Sequence, residues 1–324
     1  MKVKMRDQIF DFIRGKGQSS ADEMTNVFGV SRQIIHRHLS DLVKNGRIYR
    51  IGKPPKVFYL IKNDEKVPSV DNVPEDLKKV IDENYSIITP SGERKNGFDG
   101  FRYWCEKQKL PVRKTAIEYE HTLKKYISYK KSGLIDGMYK MKHTFDRVYL
   151  DKVFYLDFYS IERFRKTKLG QLLLYAKQSQ NKDLIRELVI QIKPKIEQLV
   201  KKFSIDAVGF IPPTVRREVQ LMKELERQIN LSVPNISLVK VKTPVAVPQK
   251  TLTKLEDRIE NAKSTIVVDD TRNYDTLLLI DDALGSGSTL NEIAHKLKKQ
   301  DVAKTVIGLA ITGSFSGFEV ISEV

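Results

Sequence analysis

Leu277-Leu278-Leu279-Ile280-Asp281-Asp282-Ala283-Leu284-Gly285-Ser286-Gly287-Ser288-Thr289 is the stretch that decides how this 324-residue chain folds. Four consecutive apolar residues without polar alternation predict a central strand of a parallel sheet, buried on both faces. Two carboxylates follow directly, then a small-residue loop, then an amphipathic helix over residues 290–299. Residues 305–311 predict a second buried strand, so the unit is βαβ. A loop of this kind exposes successive backbone N–H groups beside a helix N-terminus and cradles a phosphate. Gly285 and Gly287 permit close backbone approach, and Ser286, Ser288 and Thr289 offer hydroxyl donors. Asp281 and Asp282 repel a phosphate but suit sugar hydroxyls, or a Mg²⁺ reached through water. A Rossmann-type loop for another nucleotide, or for none, shares this small-residue character.

Working upstream, residues 205–211 predict another buried strand. It ends at Pro212-Pro213-Thr214, followed by Arg216-Arg217 and a helix to residue 229. The composite at 277–289 resembles the PRPP-binding motif of type I phosphoribosyltransferases. That resemblance implies that Asp281 and Asp282 hold the ribose hydroxyls of PRPP in the catalytic centre. It implies that Gly285, Ser286, Gly287, Ser288 and Thr289 hold the 5′-phosphate. Gly285 and Ser286 stand where threonines are usual, which removes one hydroxyl donor and leaves the backbone cradle. In the family, the loop after the first core strand binds pyrophosphate. Arg216 and Arg217 suit that role by charge and position. The run Gln249-Lys250-Thr251-Leu252 with Arg258 and Asn261 is similar to the active-site loop of the ComF-like members, with one extra residue. Leu169-Gly170-Gln171-Leu172 through Lys177 resembles their helix before the core. A solvated loop and helix would carry Gln249 and Arg258 equally well. The ComF zinc ribbon is absent, since one cysteine cannot build it.

At the other end of the chain, residues 6–14 predict a short amphipathic helix stopped by Gly15 and Gly17. Ser20 with Glu23 forms a capping box for a second helix. Ser31 is a good N-cap for a third, which Asn45-Gly46 stops. Residues 48–51 and 56–60 then predict a β-hairpin around Gly52-Lys53-Pro54-Pro55. Three helices and a hairpin resemble the winged helix-turn-helix family. The resemblance implies that Arg32, Gln33, His36 and Arg37 approach base edges in the major groove. It implies that Lys53 and Lys56 rest on phosphates. A protein-binding winged helix would carry the same cations as a solvated face.

Charge agrees with an anionic partner. The chain has 57 Lys and Arg against 41 Asp and Glu, a net charge of +16. Residues 1–62 carry +8 of it, whereas residues 266–324 carry −4. Nucleic acid is the first candidate, an acidic membrane surface the second. No apolar stretch is long enough for a membrane span and none resembles a secretory leader, so a cytoplasmic protein with no membrane partner is expected. Cys105 alone excludes a disulfide framework, and the five histidines lack metal-ligand spacing, so no direct metal site is expected. Residues 92–150 interleave aromatics with a net charge of +7. They suit either single-stranded nucleic acid or the core of an amphipathic helical connector.

The fold class expected is therefore α/β in three parts. These are a winged helix over 1–62, a basic aromatic-rich connector over 63–150, and a doubly wound parallel-sheet phosphoribosyltransferase-like domain over 151–324. The resemblances imply a DNA-binding protein that takes PRPP, with Mg²⁺, or a nucleotide. It would act as a phosphoribosyl-transferring or nucleotide-processing enzyme, such as a retron-type antiviral effector, and a homo-oligomer is expected. A PRPP-sensing transcriptional regulator without catalysis is the alternative.

Overall fold

The apolar run at 277–280 lies at the centre of strand β12, Tyr274–Leu284. All four residues are fully buried. Leu277 and Leu279 join one hydrophobic cluster, Leu278 and Ile280 another. Side chains of a strand alternate between faces, so a strand buried on both sides has no polar phase. In this computed structural model the structure describes residues 5–53, 56–61, 73–213, 217–241, 245, 247 and 251–315, with residues 51–53 and 56 as backbone only. Among them the chain is mixed α/β, with twelve α-helices and a six-stranded, mostly parallel sheet.

The chain divides into two units, Met1–Asn72 and Val73–Val324. The first contains α1 (Met5–Lys16), β1 (Gln18–Ser20), α2 (Ala21–Phe28), α3 (Arg32–Lys44), β2 (Ile48–Lys53) and β3 (Lys56–Ile61). Its three strands pair in the order β1-β3-β2. Ile9, Ile13, Met24, Ile35, Leu39 and Leu42 are buried in its core. Ser20 caps α2 by accepting from the Glu23 N–H at 3.2 Å. The Glu23 carboxylate does not close the expected capping box. It accepts from the Ser19 hydroxyl at 2.6 Å and pairs with Lys16. Ser31 occupies the N-cap of α3 but its side chain makes no cap hydrogen bond.

The second unit opens with α4 (Glu75–Asn84), β4 (Ser86–Ile88), β5 (Arg94–Asn96), α5 (Gly97–Lys107) and α6 (Val112–Ile127). It continues with β6 (Lys130–Lys131), β7 (Leu134–Asp136), α7 (Met138–Thr144) and β8 (Lys152–Phe158). Then come α8 (Lys168–Ser179), α9 (Lys182–Lys202), β9 (Ala207–Phe210), α10 (Leu221–Ile229) and β10 (Leu238–Lys240). It ends with α11 (Leu255–Thr265), β11 (Ile266–Val268), β12, α12 (Ser288–Lys299) and β13 (Ala303–Gly313). The main sheet has the order β6-β7-β8-β13-β12-β9. The last four strands of that order are parallel, while β7 and β6 extend the edge antiparallel.

Residues 73–150 therefore do not stand apart as a connector. They supply two strands of the sheet and much of one core. Tyr85, Phe101, Trp104, Tyr119 and Phe164 form a buried aromatic cluster, with Tyr85–Phe101 and Tyr119–Phe164 centroids 5.2 Å apart. Edge-to-face contacts of this kind add to the area the rings bury. These aromatics thus fill a core rather than present a stacking surface. Cys105 is buried among them, and that burial pushes its thiol up to about 12, far from a reactive thiolate.

Candidate functional site

The two acidic residues lie inside β12 rather than after it. Pairing with β13 continues through Asp281↔Ala310 to Leu284↔Gly313. The loop itself is short, Gly285-Ser286-Gly287, and α12 begins at Ser288, two residues earlier than the hydrophobic pattern predicts. Gly287 has a left-handed φ of +84° as the N-cap of α12. A Cβ there would come within 2.4 Å of the Met141 Sδ on α7. The left-handed φ favours glycine at this position, and a Cβ would in addition force the Met141 side chain to shift.

Ser286 and Ser288 differ from expectation. Both are buried, and their hydroxyls lie 3.0 Å apart in a mutual hydrogen bond. The Ser288 N–H also donates to the Ser286 Oγ at 3.3 Å. These hydroxyls organise the turn from inside instead of reaching outward. Thr289, in the first turn of α12, remains partly exposed. Asn291 ties the same helix to the segment between α7 and β8: it accepts from the Tyr149 N–H at 2.8 Å and donates to the Arg147 carbonyl at 3.0 Å.

The carboxylates have separate partners. The Asp282 N–H donates to Asp281 Oδ1 at 2.8 Å. The Asp282 carboxylate forms an ion pair with Lys177 near the end of α8. Burial, and then the charge of Asp282, push the Asp281 carboxyl up to about 7. The Arg217 Nη1 donates to the Lys177 carbonyl at 2.7 Å. Nearby, the Val219 N–H donates to the Gln180 side-chain oxygen at 2.8 Å. The segment after β9 is thus fastened to the end of α8, and Asp282, Lys177 and Arg217 form one connected group. Lys177 was legible only as the end of a family-like helix, and its contact with Asp282 is visible only in three dimensions.

A further cation went unnoticed in the sequence. Lys140 on α7 is buried, and its Nζ donates to the Ser314 carbonyl at 3.1 Å and the Ser314 hydroxyl at 3.2 Å. It also lies 3.5 Å from the Leu284 carbonyl. Burial lowers its ammonium to about 8. It therefore sits at the ends of β12 and β13, next to the loop.

Other expected residues lie elsewhere. Arg258 is buried in α11, with its Nε donating to the Leu252 carbonyl at 2.7 Å. That places it within the packing of its own segment rather than on an open loop. Arg216 and Gln249 lie outside the described residues. In the first unit, Arg32, Gln33, His36 and Arg37 are all exposed along α3, opposite the buried Ile35, Leu39 and Leu42. The Arg32 Nε pairs with Asp22 Oδ1 of α2 at 3.2 Å. Lys53 and Lys56 are direct cross-strand partners at the hairpin tip, and Pro54 and Pro55 between them lie outside the described residues.

Chemically, the body offers a backbone turn at a helix N-terminus, two adjoining carboxylates and the cations Lys177, Arg217 and Lys140. Among the described residues no group of three His, Cys, Asp or Glu side chains could hold a metal ion, and no helix is long and apolar enough to cross a membrane. No protein-family model and no curated protein matches the sequence.

Proposed function

We propose that the second unit is a phosphoribosyltransferase-like, doubly wound domain of the ComF-like kind that takes PRPP, and that the first is a winged helix that binds DNA. The observation that carries the first part is the turn from β12 to α12. A left-handed glycine N-cap at Gly287 lies five residues beyond two adjoining carboxylates near the end of the strand's pairing. Backbone N–H groups at the start of α12 suit a phosphate dianion. Asp281 and Asp282 suit the ribose hydroxyls, which need acceptors. Arg217, with Lys177 beside it, suits the negative charge of a pyrophosphate leaving group. Mg²⁺ would arrive with PRPP on its pyrophosphate, reached by the carboxylates through water.

Transfer of a phosphoribosyl group breaks the bond from the anomeric carbon to pyrophosphate, which leaves with the electron pair. A new bond forms from the same carbon to an acceptor. Positive charge gathers on the sugar ring in the transition state. The protein contributes position and electrostatics, with little proton transfer. Asp281 and Asp282, once ionised, stabilise that ring charge. Arg217 and Lys177 compensate the departing anion. The whole chain then acts as a DNA-tethered phosphoribosyl-transferring or nucleotide-processing enzyme.

Calorimetry with PRPP·Mg²⁺, together with product analysis against a panel of bases and nucleotides, tests this reading. Wild type should bind, and Asp281→Asn/Asp282→Asn should bind at least about tenfold more weakly. Failure of wild type to bind PRPP overturns the ligand assignment. Binding without turnover against the whole panel favours a PRPP-sensing regulator. For the first unit, DNA affinity should fall steeply with salt, with a smaller slope in Arg32→Ala or Lys53→Ala. A flat dependence removes DNA as the partner.

A further inference from the structure

The carboxylate of Asp282 is already engaged in the free chain. Lys177 of α8 is ion-paired with its Oδ2, and both side chains are partly withdrawn from water. The backbone of Lys177 is held in place. Its carbonyl accepts from Arg217 Nη1 at 2.7 Å, and three residues on the Gln180 side chain accepts from the Val219 N–H at 2.8 Å. The Gln220 Nε2 donates back to the Arg217 carbonyl at 3.1 Å, which closes the segment after β9 on itself. Lys177 can therefore leave Asp282 only by swinging its four-carbon stem, not by a shift of its helix.

This arrangement sets a condition on any sugar that approaches Asp282. A neutral hydroxyl competes poorly with an ammonium for the same oxygen, because a hydrogen bond between charged groups is about twice as strong. A sugar that did displace Lys177 would strand the ammonium in a partly desolvated place, and breaking up such a pair is costly. A ligand that also carries an anion removes that cost. Its hydroxyl takes Asp282, its anion takes Lys177, and every charge stays paired. Arg217 stands beside Lys177 and adds a second cation for the same anion.

We propose that Lys177 is a specificity-determining residue of this site, yielding Asp282 only to a ligand that brings both a hydroxyl for the carboxylate and an anionic group for the ammonium. The inference rests on the sugar-phosphate reading of the β12 turn and adds a selection rule to it. A ribose with pyrophosphate on its anomeric carbon meets both conditions. Ribose 5-phosphate, whose one phosphate belongs to the start of α12, leaves Lys177 without a new partner.

The test is calorimetric titration of the full chain with PRPP and with ribose 5-phosphate at one Mg²⁺ concentration, in wild type, Lys177→Met and Lys177→Arg. Wild type should prefer PRPP by at least about a hundredfold. Lys177→Met removes the competitor and the cation together. Ribose 5-phosphate should then tighten about threefold or more, while PRPP weakens about tenfold. Lys177→Arg should keep the wild-type order of preference. Opposite shifts in one variant cannot come from a loosened fold, which weakens both ligands alike. Shifts of the same sign in Lys177→Met, or no shift for either ligand, overturn the inference and leave PRPP as the ligand. Wild type that holds ribose 5-phosphate as tightly as PRPP also overturns it. Absence of PRPP binding to wild type overturns both the inference and the reading beneath it.

Discussion

Two ion pairs of the same chemistry sit in different surroundings. Arg32–Asp22 in the first unit has side chains 62% and 66% exposed. Lys177–Asp282 in the second has side chains 33% and 15% exposed. Water screens the first pair, so it is worth a fraction of a kcal/mol and yields readily to a competing phosphate. The second is partly desolvated and lies beside another carboxylate. Removing one partner there leaves a charge that the surroundings do not solvate. Arg32 thus stays available to an incoming anion, whereas the Lys177–Asp282 pair is built into the framework of the second unit.

The largest effect that would sharpen this contrast is expected at Gly287. Gly287→Val places a branched side chain at a left-handed φ and against Met141. A loss of about 3 kcal/mol or more in denaturant unfolding is expected. Wild-type stability in this variant would mean that the turn is not held by α7. Next is Asp281→Asn. The Asp281 carboxyl is raised in the folded state, so the folded chain keeps a proton that the unfolded chain releases at lower pH. Its contribution to stability is full below the ordinary carboxyl range and is lost as pH rises toward 7 and beyond. Asn should therefore stabilise the protein by roughly 2 kcal/mol at pH 8 and change little at pH 4. An equal effect at both pH values would show that Asp281 is ionised throughout. Lys177→Met should cost about 1 kcal/mol at pH 8 by leaving Asp282 unpaired beside Asp281. The loss should shrink at low pH, where carboxylates take up protons; a pH-independent loss would assign the effect to packing. The smallest change in stability belongs to Asp22→Asn, within about 0.5 kcal/mol. On the proposed DNA-binding reading of the first unit, it should nevertheless tighten that binding several-fold at low salt by releasing Arg32. Unchanged affinity would separate Arg32 from the DNA surface.

The sequence was most legible where one physical demand dominated. A strand buried on both faces must be apolar throughout, and 277–280 is. The exposed and buried faces of α3 follow the 3.6-residue period directly. Where demands competed, legibility fell. Carboxylates are uncommon in strands, so Asp281 and Asp282 marked the strand's carboxyl end, yet pairing with β13 carries β12 on past them to Leu284. Serine hydroxyls in a small-residue turn pointed outward to a ligand, yet Ser286 and Ser288 satisfy each other. Strands β6 and β7 have two and three residues, too short to show a period. Lys140 gave no signal, because nothing in its neighbours along the chain reveals that a lysine is buried between carbonyls of remote residues.

The antiparallel edge formed by β6 and β7 has a practical consequence for dissecting the chain. Ile135 and Asp136 cover Tyr155 and Phe154 of β8 by main-chain pairing. A fragment starting at residue 151 would lose that cover and present a long hydrophobic strand edge, a template for association with other chains. It would also lose Met141 from beneath Gly287 and Lys140 from the ends of β12 and β13. A fragment starting at Val73 keeps all three. Cutting within 73–150 therefore does not free the parallel sheet from an accessory segment; it removes the wall against which the β12–α12 loop is shaped.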